Sequence, residues 1–516
     1  MATVDMLLNV AMDFRNGFVR LCYSSQMESM KEEYLKTVRA KLEEMSKYLG
    51  DKPWFAGNEI TFPDFHFYEM FDQHREFHPQ LFDGLDNLKA YMDRFEALPV
   101  PFGLIRFGVA PDHPEVKNVI NQFTTLALTD RCRFIGNINI GTDININQLR
   151  SYYNGVVLAY GAEEDKTMGI KGEDSYGVFS ARSFVSWYNG LPGYENLNLN
   201  LSSGDTAVII GQGNVALDIA RILLTPLDTL KETDICSHAV DALSFSKIKK
   251  VIMVGRRGPL QVAFTIKELR EMTKLPQCKT MIKHKDMLPY KDIISELPRP
   301  RKRLTELMLK TSSDGRDISN DDNVLELLFC RSPMEIIARN EITKGIKLEI
   351  NELIEDANGG NTTAVGSGEY ETIDCSMVLR SIGYKSRNID PEIPFDEKLG
   401  IINNSKGRVV NNGTTINGLY CSGWVKRGPT GVILTTMNDA FETAGSIIED
   451  NKNGMLPSSN TARDILNDIK GFEPVLFEDW LKIDEEEKRR GELVGKPREK
   501  IVSVLEMLQI IKNNKN

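Results

Sequence analysis

No stretch of this 516-residue chain contains the ~18 consecutive apolar residues of a membrane-spanning helix, which excludes an integral helical membrane protein. Cysteine is sparse: Cys22, Cys132, Cys236, Cys278, Cys330, Cys375 and Cys421 are scattered, with no C-x-x-C pair and no zinc-type spacing. Neither a disulfide framework nor a metal site is indicated, and electron transfer through a redox-active dithiol lacks its cysteine pair. Positive charge is in deficit, with 63 Lys and Arg against 73 Asp and Glu, a formal net charge of -10. That balance argues against a general nucleic-acid binder, whose phosphate affinity comes from clustered cations, although local basic patches remain open. The first 23 residues mix Arg15 and Arg20 with Asp5 and Asp13 and so lack the acid-poor, Arg-rich character of an organelle transit peptide. What is present is a composition of 41% hydrophobic and 26% charged residues, that of a globular protein, at a length that suggests about three domains.

Two halves of unequal character follow one another. Residues 1–98 show helical periodicity throughout, as in Val4, Leu7, Leu8 and Ala11 or Tyr34, Val38, Leu42 and Met45, and predict an all-α bundle. From Pro99 to about Glu449, short apolar runs alternate with helical stretches, the pattern of βαβ units around a parallel sheet. The acidic, Asn-containing stretch Ser312–Asn323 reads as a mobile loop. The tail Phe472–Asn516 reads as charged helix, with the run Asp484 to Glu487 on a solvated face.

One stretch carries legible nucleotide chemistry. The apolar run Thr206–Ile210 leads into Gly211-Gln212-Gly213-Asn214-Val215-Ala216 and then an amphipathic segment, which is the G-x-G-x-x-A form of the dinucleotide turn. Gly211 permits the tight turn, Gly213 lets backbone approach a pyrophosphate, and Ala216 allows helix to pack closely on strand. The helix N-terminus then presents free N–H groups to phosphate. The next strand, Lys250–Val254, ends in Gly255-Arg256-Arg257, where an NAD-binding unit carries an acid for the ribose 2′-hydroxyl. Guanidinium groups pair instead with a 2′-phosphate, so NADP is the expected nucleotide. The long interval from Gly211 to Arg256 implies an insertion between Thr225 and Ser246.

The flavin side is read from Gly418–Trp424, a strand entering a turn, and from Pro429–Ile433, which opens a helix reaching about Ile448. Such a helix places its positive N-terminus where reduced flavin carries negative charge. The tracts Val156–Ala162 and Met377–Tyr384 look like the two strands that cross between paired domains. Taken with Pro99–Glu115, Gly211–Asp218, Val254–Glu268 and Gly423–Ile433, these residues resemble the NADPH:adrenodoxin (ferredoxin) oxidoreductase family of mitochondrial FAD enzymes.

The resemblance implies a two-dinucleotide-binding α/β flavoprotein with doubly wound parallel sheets. Residues 99–163 and 379–516 would form the FAD-binding domain and residues 164–378 the NADP-binding Rossmann domain. It also implies NADP contacts at Gly211, Gln212, Gly213, Asn214, Arg256, Arg257, Glu268 and Gly431, and FAD contacts at Leu104, Ile140, Trp424, Gly431, Val432 and Ile433. His113 would lie beside the flavin in proton traffic. Arg299, Arg301 and Arg303 would dock an acidic ferredoxin or adrenodoxin-type iron-sulfur protein; without the family, that basic run reads as a solvated surface turn.

The family opens with a Gly-rich turn for the FAD pyrophosphate, and before Pro99 this sequence has only the isolated Gly17, Gly50, Gly57 and Gly84. Glu96, where the ribose acid is expected, sits in a helical setting. Residues Gly50 to Leu98 instead look like the C-terminal helical domain of a mu-class glutathione S-transferase. Thr61 to Asp64 form a capping box, and Tyr23 matches that class's substrate-site tyrosine. Three functions stay open on the sequence: an NADPH-dependent FAD reductase, a glutathione transferase-related helical module, and a catalytically impaired fusion that retains NADP binding only. The helical domain also offers a dimerisation surface, and the family resemblance implies a mitochondrial location.

Overall fold

The apolar run Thr206–Ile210 is buried from Ala207 onward because it is a central strand of a six-stranded sheet, as a computed structural model of the chain shows. Strand order is 178–180, 377–380, 206–210, 250–254, 323–328, 278–282, and every pairing is parallel. A parallel sheet is covered on both faces, which is why its strands read as continuous rather than alternating apolar runs. The structure describes the chain apart from residues 1, 23, 25–26, 51, 53–54, 57–61, 86, 90–97, 200, 315–318, 320–321, 356–361, 432, 458–464, 468–472 and 514–516. The expected roles of Tyr23, Thr61, Glu96 and Val432, and the centre of the expected loop 312–323, lie outside the described residues.

The helix Asn214–Leu224 packs on this sheet through Ala216, Leu217, Ile219, Ala220, Leu223 and Leu224. The insertion after Thr225 consists of two short helices, Leu227–Lys231 and Ser237–Ser244, which pack Leu230, Ala239 and Leu243 into the same core. An antiparallel three-stranded meander, 331–339, 342–355 and 362–374, projects from this unit and was not foreseen from the sequence.

A second, smaller sheet lies outside the nucleotide unit. It has four strands in the order 404–405, 408–411, 414–421, 156–158, and only the pair 156–158 with 419–421 is parallel. Among the described residues this sheet combines one parallel pair with antiparallel neighbours. The crossings between the two sheets are short: 164–165 pairs antiparallel with 384–385, and the chain leaves the six-stranded sheet after Arg380.

The N-terminal bundle contains the helices Ala2–Cys22, Met27–Leu49 and Phe62–Phe77. Leu7, Ala11, Val38, Leu42 and Met45 form its core with Phe67 and Phe71, as the three- and four-residue spacing requires. The Asp64 carboxylate accepts from the Phe55 backbone N–H (2.8 Å) and is fully buried. His74 is buried too, stacked on Phe14, with its two ring nitrogens on Tyr34 Oη (2.7 Å) and the Met70 carbonyl (2.6 Å).

Two surface readings are corrected. The basic run Arg299 to Arg303 is not a turn but the first turn and more of the helix Arg299–Ser312. Proline at the second helical position is compatible with that start, because the first backbone N–H groups of a helix have no intrahelical partner. The acidic run is only partly solvated: Glu487 is fully buried in the helix Phe477–Leu493 and pairs with Arg106. Glu487 also accepts from the backbone N–H of Ile501 (2.9 Å), while Arg498 holds Asp484 (2.7 Å). Long-range pairing overrides the local charge pattern here, and it binds the C-terminal tail to the segment Gly103–Gly108.

Candidate functional site

The turn after Thr206–Ile210 is built for close approach. Gly211 has φ +126°, in the region that favours glycine, and a Cβ there would stand 2.1 Å from the Ser381 carbonyl oxygen. Gly213 precedes the helix, and nothing lies within 4 Å of where its Cβ would sit, which leaves room for a phosphate. Gln212 faces inward: its side-chain amide donates to the Leu328 carbonyl (3.1 Å), and its own carbonyl accepts from the N–H groups of Ala263 (2.9 Å) and Phe264 (3.1 Å). Asn214 accepts from the Thr265 N–H (2.8 Å), tying the turn to the helix Ile266–Thr273 that carries Glu268. Arg256 and Arg257 sit exposed just past the strand Lys250–Val254, while their carbonyls are fixed by Asn351 Nδ2 (2.8 Å) and the Cys330 N–H (3.1 Å). Two guanidinium groups on a rigid backbone beside an open phosphate cradle fit a 2′-phosphorylated dinucleotide.

A buried charge cluster adjoins this unit, and sequence reasoning found only His113 and Glu268 of it. His113 Nε2 lies 2.7 Å from Glu271 Oε2 and 3.9 Å from Glu268 Oε2. Arg221, on the nucleotide helix, reaches His113 Nδ1 (3.5 Å), Asp218 (2.7 Å), Glu268 (3.4 Å) and Glu271 (3.7 Å), and it also pairs with Asp112. Burial raises the Asp218 carboxyl, and burial together with Asp218 raises Glu268, while Asp112 and Asp218 hold Arg221 charged against its own burial. His113, Glu268 and Glu271 place their ligand atoms within 4.8 Å of one another, with the Arg221 guanidinium beside both carboxylates. The sequence signal for Arg221 was its place three residues after Asp218 on the nucleotide helix; its partner Asp112 is 109 residues away and carries no local signal.

On the flavin side Trp424 stacks on Tyr384, with ring centroids 6.0 Å apart and an interplanar angle of 18°. Tyr384 is half-buried, and its phenol is pushed upward by desolvation and by the nearby charges of Asp165 and Asp218. Asp218 thus links the Trp424 side to the His113 cluster. Arg427 clamps the following turn by donating to Thr430 and to Thr436 Oγ1 (2.9 Å), and Gly431 has φ +86° just before the helix Ile433–Lys452. Leu104 is exposed, and Ile140 is half-buried and bridged to Ile144. These residues offer an apolar, aromatic floor and a helix N-terminus, which suits the ring end of a flavin.

The basic helix divides by side chain. Arg299 and Arg303 are exposed, whereas Arg301 is half-buried and donates to the Val262 carbonyl (3.0 Å), beside the loop that Gln212 holds. Arg301 therefore braces the nucleotide unit rather than extending into solvent.

Comparison with known proteins adds independent findings. The sequence model of the glutathione S-transferase C-terminal domain matches residues 11–99. Mitochondrial NADPH:adrenodoxin oxidoreductase of Mus musculus is 51% identical over 434 residues, which span 82% of this chain and 86% of the mouse protein. The Homo sapiens protein of the same name is 50% identical over 453 residues, 85% of this chain and 89% of the human one. The solved structure of Mycobacterium tuberculosis FprA in complex with NADPH aligns with a TM-score of 0.74 at 36% identity, covering 80% of this chain and 91% of FprA. With a parallel nucleotide sheet, an arginine pair past its second strand and relatives of this identity over most of its length, the chain belongs to the NADPH:adrenodoxin oxidoreductase family.

Proposed function

We propose that the chain is an NADPH-dependent FAD oxidoreductase that passes electrons to an adrenodoxin- or ferredoxin-type iron-sulfur protein, in the mitochondrial matrix or at the matrix face of the inner membrane. The observation that carries this reading is the exposed Arg256 and Arg257 pair beside the open Gly213 turn, in a chain whose relatives are named for NADPH and adrenodoxin. In it, Gly211, Gly213 and Asn214 cradle the NADP pyrophosphate, Gln212 braces that turn, and Glu268 faces the nicotinamide side. Trp424, Leu104, Ile140 and the residues 431–433 hold FAD, with Gly431 also bordering NADP. Bound FAD would supply the conversion of a two-electron hydride donor into one-electron output. His113 holds a proton at Nε2 against Glu271 and exchanges it near the reacting ring, and Arg221 fixes the imidazole's other nitrogen.

Arg299 and Arg303 present the docking face for the acidic acceptor, and the N-terminal bundle is a dimerisation module. No helix among the described residues is long and apolar enough to cross a membrane. Glutathione conjugation and a binding-only remnant are less favoured, because reductase relatives cover about four-fifths of the chain. Titration of intrinsic fluorescence with NADPH and NADH tests the reading. NADPH is expected to bind much more tightly, and equal affinity for the two would contradict the assignment of the arginine pair.

A further inference from the structure

The segment carrying His113 runs from Phe107 to Lys117, and both its ends converge on one buried polar network. At the front, Asn189 Nδ2 donates to the carbonyls of Phe107 (3.0 Å) and Val109 (3.1 Å). At the back, Lys117 Nζ donates to both carboxylate oxygens of Asp234 (2.6 and 2.8 Å). The two anchors are joined by a residue from the far end of the chain: Lys500 Nζ lies 3.3 Å from Asn189 Oδ1 and 3.3 Å from Asp234 Oδ2, on a side chain 1% exposed. Lys500 is itself held in place by its neighbours, since Lys496 donates to the Ile235 carbonyl (2.9 Å) and to Glu499 (2.7 Å), and Glu487 takes the Ile501 N–H.

We propose that Lys500, acting through Asn189 and Asp234, is a positioning residue that fixes the His113 imidazole, so that the C-terminal tail forms part of the support of the reaction centre. The inference rests on the reading of His113 given above and deepens it. Two ammonium groups face one carboxylate in this network. Burial, with Lys500 beside it, brings Lys117 down to about 7, so the Lys117 charge facing Asp234 is partial near neutrality. The other charges nearby are already engaged, Arg498 with Asp484 and Glu487, and Lys496 with Glu499. Removing the Lys500 ammonium leaves Asn189 Oδ1 without that donor and Asp234 with one cationic partner instead of two. Both ends of the His113 segment then lose their common brace, since a buried acceptor deprived of its donor reorients or takes in water.

The six histidines of the full chain make this measurable, because ring-carbon NMR signals of labelled histidine are few, and His113→Gln identifies one of them. In Lys500→Met the His113 ring signal is expected to shift, with Lys500→Arg restoring it. A His113 signal in folded Lys500→Met that coincides with the parent's would overturn the proposal. If Lys500→Met does not fold, Asn189→Ala carries the same test, and coincidence with the parent there overturns it equally. The function of His113 is judged separately: if His113→Gln leaves NADPH-driven flavin reduction unchanged, the reading of His113 fails, while the ring signal still reports whether Lys500 positions it.

Discussion

At the residue scale, charges held on a rigid backbone decide what the chain recognises. Arg256 and Arg257 are exposed while their carbonyls are bonded, so replacing both with Ala should remove contacts without moving the strand end. Loss of two charge-assisted contacts should weaken NADPH by about 2–4 kcal/mol and leave NADH nearly unchanged, read by fluorescence titration. Equal weakening of both nucleotides would mean that the arginines act on the fold instead. A second residue sets the acid sensitivity of the helical bundle. Burial lowers His74 to about 4, below its ordinary 6.5, although its bond to the Met70 carbonyl opposes that shift. Between these values the unfolded chain binds the proton that the folded one refuses, so His74 makes stability rise with pH. Its contribution is fully present above the unfolded value and is lost as pH falls through about 4. Thermal melts of the bundle between these values should show that slope, and His74→Phe, which keeps the aromatic packing on Phe14, should flatten it.

At the element scale, the helix Arg299–Ser312 presents two exposed arginines and one that braces. Charge reversal at Arg299 and Arg303 should slow reduction of an acidic iron-sulfur acceptor, more at low salt than at high, while reduction of a small artificial acceptor is unchanged. Reversal at Arg301 should instead weaken NADPH binding, because the lost bond to Val262 lies beside the Gln212 turn. The tail helix Phe477–Leu493 makes a matching case. Glu487→Ala leaves the buried Arg106 without its carboxylate partner, and breaking a buried pair of this kind costs about 3–5 kcal/mol, measurable as a lower denaturant midpoint.

How legible such elements were depends on the range of the forces that set them. The strand Thr206–Ile210, the Gly211 turn and the helix after it are local in origin, and their residues stated them outright. The helix Ile433–Lys452 was legible in extent but not in orientation. It turns Asp439, Thr443, Ser446 and Asp450 toward the protein, where they bond Gly423, Cys421, Lys406 and Arg408, and leaves Met437, Phe441 and Ile448 exposed. Polar partners distant in sequence reversed the face that hydrophobicity alone would bury. The Arg221 and Asp112 pair and the Arg106 and Glu487 pair were unreadable for the same reason.

At the scale of the whole molecule, the Gly211 turn is the phosphate turn of the nucleotide unit, in a chain proposed to use two dinucleotides. The described part of residues 1–98 is helical and matches a glutathione S-transferase domain, and phosphate cradling supplies a large share of dinucleotide affinity. The chain is therefore expected to bind NADPH firmly through the Gly211 turn. The exposed stripe Met437, Phe441 and Ile448 should also favour self-association, visible as a concentration-dependent elution volume. The central claim, electron transfer from NADPH to flavin within this chain, is tested most directly by an anaerobic titration with FAD supplied in excess. Adding NADPH should bleach the visible flavin band, and NADH at the same concentration should not. A flavin band that persists while NADPH demonstrably binds would contradict the account.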